Sequence, residues 1–210
     1  MKPGPGSGWR HCTTRVSREM ASSTAPFNAT VRPGDLRVDP MRKRDLKRVL
    51  EIERKVYPTA WTMNVFLSEL SYKKERSYSV ARIGTEVVGY SGVMYVLEDA
   101  HITNIAVDPD YHRRHVGSAL MYSLAMEAID AGCKNLTLEV RVSNQPAQRM
   151  YQSFGFMPVG VRKGYYQESN EDAIIMWSYD VDTPEYAARL ERLSQERGLG
   201  ARRGRRRWLP

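Results

Sequence analysis

The chain has 210 residues and a mass of 24.1 kDa, enough for one domain with a sizeable core and terminal tails. It contains no run of about 18 apolar residues, which excludes a membrane-spanning helix, and its two cysteines exclude a disulfide framework or a cysteine metal cluster. The net charge of +8 lies at the ends, because residues 1–30 carry +3 and residues 197–210 carry +6, which leaves −1 for residues 31–196.

The first 30 residues are nearly free of acidic side chains and lack the apolar stretch of a secretory signal. The glycines and prolines of "MKPGPGSG" favour a disordered leader, and Met20 is an alternative start of translation. A chain with so few cysteines is typical of a reducing compartment. We therefore expect a cytoplasmic protein whose folded domain begins near residue 31.

The next part of the chain predicts a strand, two helices and three strands, at residues 36–41, 42–57, 62–70, 78–83, 87–97 and 100–107. Apolar residues recur at helical spacing in the first helix, and Pro58 ends it. The hydroxyl of Thr62 is suited to cap the second helix. The turn "GTE" between two apolar runs predicts a hairpin.

The second half predicts a helix that ends near Ala131, a strand at 135–142, a short helix at 143–155 and a strand at 173–181. One or two strands close this half of the sheet. The strand at 135–142 alternates, with Leu136, Leu138, Val140 and Val142 on one side and Thr137, Glu139 and Arg141 on the other. This order of elements predicts a mixed α/β sheet with helices on both faces. We assign the domain to residues 31–183 and expect a further helix from residue 184, followed by a basic tail to residue 210.

The loop "YHRRHVGSAL" before the first long helix of this half has the character of an anion-binding turn. In such turns the backbone N–H groups at a helix N-terminus face the anion, and glycine usually stands where the chain comes closest. Here one such place holds His115. The residues leave three readings: a degraded binding loop, a binding loop that tolerates histidine, or a basic cap on an ordinary helix.

The segment "NIAVDPDYHRRHVGSALMYSLAMEAIDAG", followed by "LTLEVRVSNQPAQRMYQSFGF", resembles the GNAT N-acetyltransferases. Within that family it resembles most closely the RimI-type ribosomal-protein alanine N-acetyltransferases. The likeness covers roughly residues 36–181 and is sharpest over residues 104–179. It implies a GNAT fold and the use of acetyl-CoA as acetyl donor.

The resemblance assigns the loop to the pyrophosphate of acetyl-CoA. The family pattern, Gln/Arg-x-x-Gly-x-Gly/Ala, falls on residues 112–117, where two of three signature positions are replaced and Gly117 is kept. Because the donors are backbone N–H groups, the resemblance favours a loop that tolerates histidine. The implied cofactor-binding residues are Ile105, Ala106, Val107, Arg113, Arg114, His115, Val116, Gly117, Ser118 and Asn144.

Two side chains receive catalytic roles from the resemblance. Glu139, in "LEVR", would be the general base that deprotonates the amine. Tyr151, in "RMYQSFGF", would protonate the leaving thiolate. Taken without the motif, Glu139 also fits a strand glutamate paired with an arginine, Tyr151 fits core packing, and Asn144 fits a helix N-cap.

The acceptor side is represented by Trp61, Tyr165 and Tyr166, which the resemblance places along a groove for a peptide N-terminus. In this chain Thr-Ala separates Pro58 from Trp61, whereas the family usually has proline directly before the tryptophan. Packing is the alternative interpretation for each of the three aromatic residues.

The sequence as a whole predicts an acetyl-CoA-dependent N-α-acetyltransferase that acts on the N-terminal residue, alanine, of a ribosomal protein. Transfer would be direct, because the quoted motifs contain no cysteine to carry an acyl group. The alternatives are a GNAT enzyme for lysine side chains or small amines, and a weakly catalytic acyl-CoA-binding protein that docks on the ribosome. The tail "RRGRRRW" could contact rRNA phosphates, or it could be a solvated end.

Overall fold

The computed structural model describes residues 35–199, within which there are seven strands and five α-helices. The strands are β1 Leu36–Pro40, β2 Arg76–Ile83, β3 Glu86–Val96, β4 Asp99–Val107, β5 Asn135–Arg141, β6 Met157–Tyr166 and β7 Glu171–Ser178. The helices are α1 Leu46–Val56, α2 Met63–Glu69, α3 Val116–Asp130, α4 Gln145–Ser153 and α5 Pro184–Arg197. The predicted leader and the basic tail lie outside the described residues.

All seven strands form one sheet in the order β1-β2-β3-β4-β5-β7-β6. The pair β4–β5 is parallel and every other pair is antiparallel, so the predicted mixed sheet is confirmed. One face packs on α1 and α2, where Ile52 and Phe66 meet Val80 of β2. The opposite face packs on α3, α4 and α5, where Leu120 of α3 is fully buried with Ala81 of β2. Helices therefore cover both faces, as predicted.

The parallel strands β4 and β5 separate soon after they meet. They pair at three positions, the last of which joins His101 to Thr137. On its other side β4 stays paired with β3 along its length, with a register shift that leaves Thr103 as an extra residue. Gly92 is needed opposite this bulge, since a Cβ there would lie 2.4 Å from a ring carbon of Tyr78. The separation opens a cleft into the middle of the sheet.

Local signals placed most elements correctly. The Thr62 hydroxyl accepts a hydrogen bond from the N–H of Val65, as predicted for the N-cap of α2. The helix expected from residue 42 begins at Leu46, because Lys43–Asp45 forms a 3-10 turn first. The sequence left open whether one or two strands end the sheet, and two are present: β6, and β7 at Glu171–Ser178, which was predicted at 173–181.

The prediction that β5 includes Val142 was wrong. Val142 lies one residue beyond the strand and its side chain is 45% exposed. The strand ends there because the chain turns at once into α4, whose N-cap is Asn144. The inward positions Leu136, Leu138 and Val140 are buried as predicted.

The described chain contains no helix long and apolar enough to cross a membrane. The C-terminal helix α5 is present as expected, and Tyr186, Leu190 and Leu193 on its inner face are buried in the same core as α3.

Candidate active site

A cavity of about 450 Å³ occupies the cleft where β4 and β5 separate. Its walls come from the two strands, from the segment after α1, and from α4 and β6. Seven of the predicted site residues line it together: Trp61, Ile105, Glu139, Asn144, Tyr151, Tyr165 and Tyr166. Ala106, Val107 and residues 113–118 are not among its lining residues; they form the end of β4, the loop after it and the start of α3. The structure thus brings the two predicted catalytic side chains into one cleft.

Glu139 is held by a cation or donor on each of its carboxylate oxygens. Its Oε1 accepts a hydrogen bond from Arg162 of β6 at 2.8 Å, and its Oε2 lies 3.3 Å from Nε2 of His101 on β4. The side chain is only 12% exposed. Glu139 is therefore paired with an arginine, as the strand interpretation expected, and also lines the cleft, as the general-base interpretation requires. The pairing with arginine is confirmed, and the role of Glu139 as a general base stays a prediction.

Tyr151 lies on the inward side of α4 with its ring 5.8 Å from that of Phe156. Burial raises the pKa of its hydroxyl above the ordinary value. The phenol therefore carries its proton at neutral pH, and its role as the acid stays a prediction. Packing on Phe156 fixes the ring.

The edge of β4 offers backbone groups to the same cleft. Residues Ile105, Ala106 and Val107 pair with β3 on one side. Among the described residues, pairing with β5 stops at His101, so the other side of this stretch faces the separation between the strands. A strand edge of this kind presents N–H and C=O groups to whatever enters the cleft.

The loop before α3 contains two residues with a left-handed backbone conformation. His115 has φ 58° and ψ 14°, in the left-handed region, and serves as the N-cap of α3. Arg113 is also left-handed, with φ 60°. The N–H groups of the first helical turn have no carbonyl of their own helix to bind and carry the positive end of the helix dipole. Histidine thus occupies a left-handed position where glycine would be less strained.

Gly117 and the two arginines of this loop differ in what they contact. A Cβ at Gly117 would lie 3.3 Å from the sulfur of Met150, so the glycine lets α3 pack closely on α4. The guanidinium of Arg114 lies 5.2 Å from the ring centre of Tyr111. Its Nη1 is buried, with no hydrogen-bond partner within residues 35–199. Arg113 is exposed.

Ser118 and Asn144 already have partners within the protein. The Ser118 hydroxyl accepts a hydrogen bond from Arg197, at the end of α5, at 3.2 Å. The Asn144 Oδ1 accepts the N–H of Ala147 at 3.2 Å, so the N-cap interpretation of Asn144 is confirmed. A role of either residue toward acetyl-CoA stays a prediction.

The acceptor side of the cleft is formed by aromatic residues and their charged partners. Tyr165 and Tyr166 meet edge to face at 5.1 Å. Arg141 lies 3.8 Å from the ring centre of Tyr166, and Arg162 lies 5.1 Å from that of Tyr165. Burial raises the pKa of Tyr166 to about 12. Arg162 thus contacts both Glu139 and the predicted acceptor residue Tyr165.

A buried ion-pair network at the end of β4 was missed by the sequence analysis. Asp108, which is fully buried, accepts hydrogen bonds from Lys55 at 2.9 and 3.0 Å and from Arg48 at 2.5 Å. It also accepts the N–H of Asp110. Burial alone would raise the pKa of Asp108, but these donors outweigh it and hold the pKa below its usual range. The network ties α1 to the start of the loop before α3.

His101, Arg162 and Glu53 were also missed, although each contacts a residue that the sequence analysis singled out. Their sequence separations from those partners, up to 38 residues, leave no local signal. Across residues 35–199 no cluster of three or more histidine, cysteine, aspartate or glutamate side chains could hold a metal ion.

Comparison with known proteins shows which family the chain resembles. The acetyltransferase (GNAT) family model matches residues 46–156. The [ribosomal protein bS18]-alanine N-acetyltransferase of Escherichia coli K12 is 33% identical over 141 residues, which cover 66% of this chain and 94% of that protein. A Bacillus subtilis (strain 168) protein, provisionally named as an enzyme of the same kind, is 41% identical over 137 residues, covering 65% of this chain and 91% of its own.

A solved structure agrees with the sequence comparisons. The crystal structure of the ribosomal-protein-S18-alanine N-acetyltransferase from Escherichia coli superposes with a TM-score of 0.63 at 31% identity. The match covers 69% of this chain and 94% of that one. The similarity therefore extends over nearly the whole of the solved protein.

Proposed function

The chain belongs to the GNAT acetyltransferase family, and from this premise we propose that it acetylates the N-terminal alanine of a ribosomal protein. The acetyl donor is acetyl-CoA, as is general in the family. Relatives named for ribosomal protein bS18 make that protein the first candidate acceptor. Such an enzyme would work where ribosomes are assembled, so we expect it in the cytoplasm.

One observation carries the proposal: Glu139 and Tyr151 line the same cleft, opposite the open edge of β4. A base and an acid on the walls of one cleft are what acyl transfer to an amine requires. An α-ammonium group has a pKa of about 7.7–8.0, so a carboxylate can take its proton directly or through one water.

Each residue then has a defined part in direct transfer. Glu139 accepts the proton of the ammonium, and the neutral amine attacks the thioester carbonyl. A backbone N–H of residues 105–107 would stabilise the oxygen of the tetrahedral intermediate. Tyr151 donates its proton to the departing thiolate and is reprotonated, through water, by the proton that the nitrogen loses as the amide forms; Glu139 releases its proton to solvent. Arg162 and His101 keep the carboxylate of Glu139 oriented toward the cleft.

The residues at the start of α3 fit the pyrophosphate of acetyl-CoA. The free N–H groups of the first turn, the helix dipole and Arg113 all favour an anion at this place. His115 takes the required backbone conformation, and its side chain is exposed. Its substitution for glycine is therefore compatible with a working donor site.

A lysine side chain is the second candidate acceptor, since the same base and acid could serve it. Its pKa of about 10.4 makes deprotonation harder by about 3.4 kcal/mol than for an α-amino group, which favours the N-terminal assignment. Contact between the arginine-rich tail and rRNA stays a prediction, because that tail lies outside the described residues. Turnover with a peptide would exclude a protein that only binds acyl-CoA.

Intact-mass measurement of ribosomal proteins tests the proposal in cells. Ribosomes from cells with and without this chain should differ by one acetyl group at the N-terminus of a single ribosomal protein. Cells that carry only the Glu139→Gln variant serve as the control and should match the deletion. Identical masses, or acetylation confined to internal lysines, would contradict the proposal.

A further inference from the structure

Glu53 is a buried carboxylate that has no role in the proposed reaction. It lies near the end of α1 on the face that packs against the sheet, and only 2% of it is exposed. Burial raises the pKa of Glu53, although hydrogen bonds from Trp61 and Tyr90 act in the opposite direction. A buried charge destabilises a fold unless it makes compensating bonds, so its contacts are informative.

The carboxylate of Glu53 links three parts of the molecule. Its Oε1 accepts the backbone N–H of Trp61 at 3.0 Å. Its Oε2 accepts the hydroxyl of Tyr90, a fully buried residue of β3. One side chain of α1 thus connects the sheet to the segment that follows the helix.

That segment, residues 57–62, is the irregular connection between α1 and α2. Its Tyr57, Thr59 and Trp61 line the cleft. The indole of Trp61 lies 5.3 Å from the ring of Phe66, which gives its side chain one packing partner. An irregular segment lacks the repeating hydrogen bonds of a helix or strand, so a single strong backbone bond has a large influence on its path.

We propose that Glu53 is a positioning residue for the acceptor side of the cleft, which it holds in place through the N–H of Trp61. The inference rests on the proposed function, because it takes residues 57–61 as the wall against which the acceptor N-terminus lies. Glu53 itself borders the cavity, but its two carboxylate oxygens are occupied by Trp61 and Tyr90, so it acts through this wall and not on the reacting atoms. Loss of the bond should therefore weaken acceptor binding and leave the donor site, on the far side of β4, unchanged.

Three substitutions separate this role from general packing. Glu53→Ala removes the acceptor of the Trp61 N–H. Glu53→Gln keeps an acceptor oxygen without the charge. Glu51→Ala, on the exposed face of the same helix, is the matched control. For each variant we would measure kcat and KM with an alanine-starting peptide, and the Kd of acetyl-CoA.

Glu53→Ala should raise the peptide KM about tenfold, equivalent to 1.4 kcal/mol, while the Kd of acetyl-CoA stays within about twofold. Glu53→Gln should restore the peptide KM to within about threefold of wild type, because the carboxamide oxygen still accepts the N–H. Glu51→Ala should match wild type. An unchanged peptide KM in Glu53→Ala, or equal losses for peptide and acetyl-CoA, would overturn the proposal.

Amide hydrogen exchange gives a readout that needs no substrate. Exchange at the Trp61 N–H should be at least about tenfold faster in Glu53→Ala than in wild type, with β4 and α3 unchanged. If Glu53→Ala does not fold, Glu53→Asp, whose shorter side chain cannot reach both partners, replaces it in every assay. If wild type fails to acetylate N-termini but the Trp61 amide responds, the proposed function fails and the positioning contact stands. If the amide does not respond, the inference fails whatever the substrate.

Discussion

The proposed donor and acceptor sites are built in different ways. The proposed donor site is residues 108–118, one continuous stretch between β4 and α3 whose free N–H groups and helix dipole favour an anion. On the acceptor side, side chains from α1, the 57–62 segment, β5 and β6 meet only in the folded structure. The difference predicts different tolerance: a backbone site accepts a new side chain such as His115, whereas a side-chain site depends on each partner.

The largest effect should come from the acceptor side, at Glu139, the carboxylate that we propose as the base. Glu139→Gln removes the group that accepts the proton but keeps one side-chain oxygen that can still accept a hydrogen bond. The kcat should therefore fall by about 10²-fold or more. The Kd of acetyl-CoA should not change, because the donor side is separate. Steady-state kinetics at several pH values check this, and activity that recovers at high pH would support the role.

The control for Glu139→Gln is Glu98→Gln, an exposed glutamate in the β3–β4 turn, which should leave kcat unchanged. Wild-type turnover by Glu139→Gln at neutral pH would remove Glu139 from the mechanism and would leave the cleft without its assigned base.

The second effect concerns the buried ion pairs of Asp108, which lie at the start of the loop before α3. Asp108→Asn should lower the free energy of unfolding by about 2 kcal/mol at pH 7, because it leaves Lys55 and Arg48 without their buried anion. The pKa of Asp108 is held low in the folded state. Its contribution is therefore present above the unfolded pKa of about 3.9 and is lost as the pH falls through the folded value.

Denaturant titrations of Asp108→Asn and wild type across pH 3–7 measure how the difference in their free energies of unfolding changes with pH. The two proteins should differ most at neutral pH and converge in acid. A difference that grows as the pH falls would show that the network does not depend on an ionised Asp108.

The third effect tests the proton donor. Tyr151→Phe should lower kcat by about tenfold, a modest loss for an acid because a thiolate is a good leaving group. The peptide KM should stay near wild type, since the ring still packs on Phe156. Single-turnover rates would measure the step directly. A full-rate variant would leave Tyr151 with its packing role alone.

The smallest effect should come from His115, the histidine at a position where glycine is usual. His115→Gly relieves a left-handed backbone and should raise the free energy of unfolding by up to about 1 kcal/mol. Acetyl-CoA affinity should be kept, because the donors are backbone N–H groups. A loss of affinity beyond about tenfold, or 1.4 kcal/mol, would make the imidazole itself a ligand and would break the contrast between the two sides.

The same contrast explains what the sequence could predict. The strand alternation of β5, the caps at Thr62 and Asn144 and the turn at His115 depend on neighbours in the chain, and each was recognisable. The pair Asp108–Lys55 joins residues 53 apart, and the bond from Tyr90 to Glu53 joins residues 37 apart. Charge, spacing and periodicity carry no signal at such separations.

The predicted site shows the same division. The motif singled out Glu139, which lines the cleft, yet its partners His101 and Arg162 come from other strands and depend on the register of the sheet. The misplacement of Val142 has a related cause, because alternation alone does not show where the chain must leave the strand.

Two peptides distinguish an enzyme for α-amino groups from one for lysine side chains. One is an alanine-starting peptide from a ribosomal protein with an internal lysine, and the other is the same peptide with its N-terminus blocked. We expect rapid acetylation of the free peptide at its N-terminus and slow or no acetylation of the blocked one, measured as kcat/KM by mass spectrometry. Equal or faster acetylation of the blocked peptide would assign the enzyme to lysine side chains and exclude the N-terminal function.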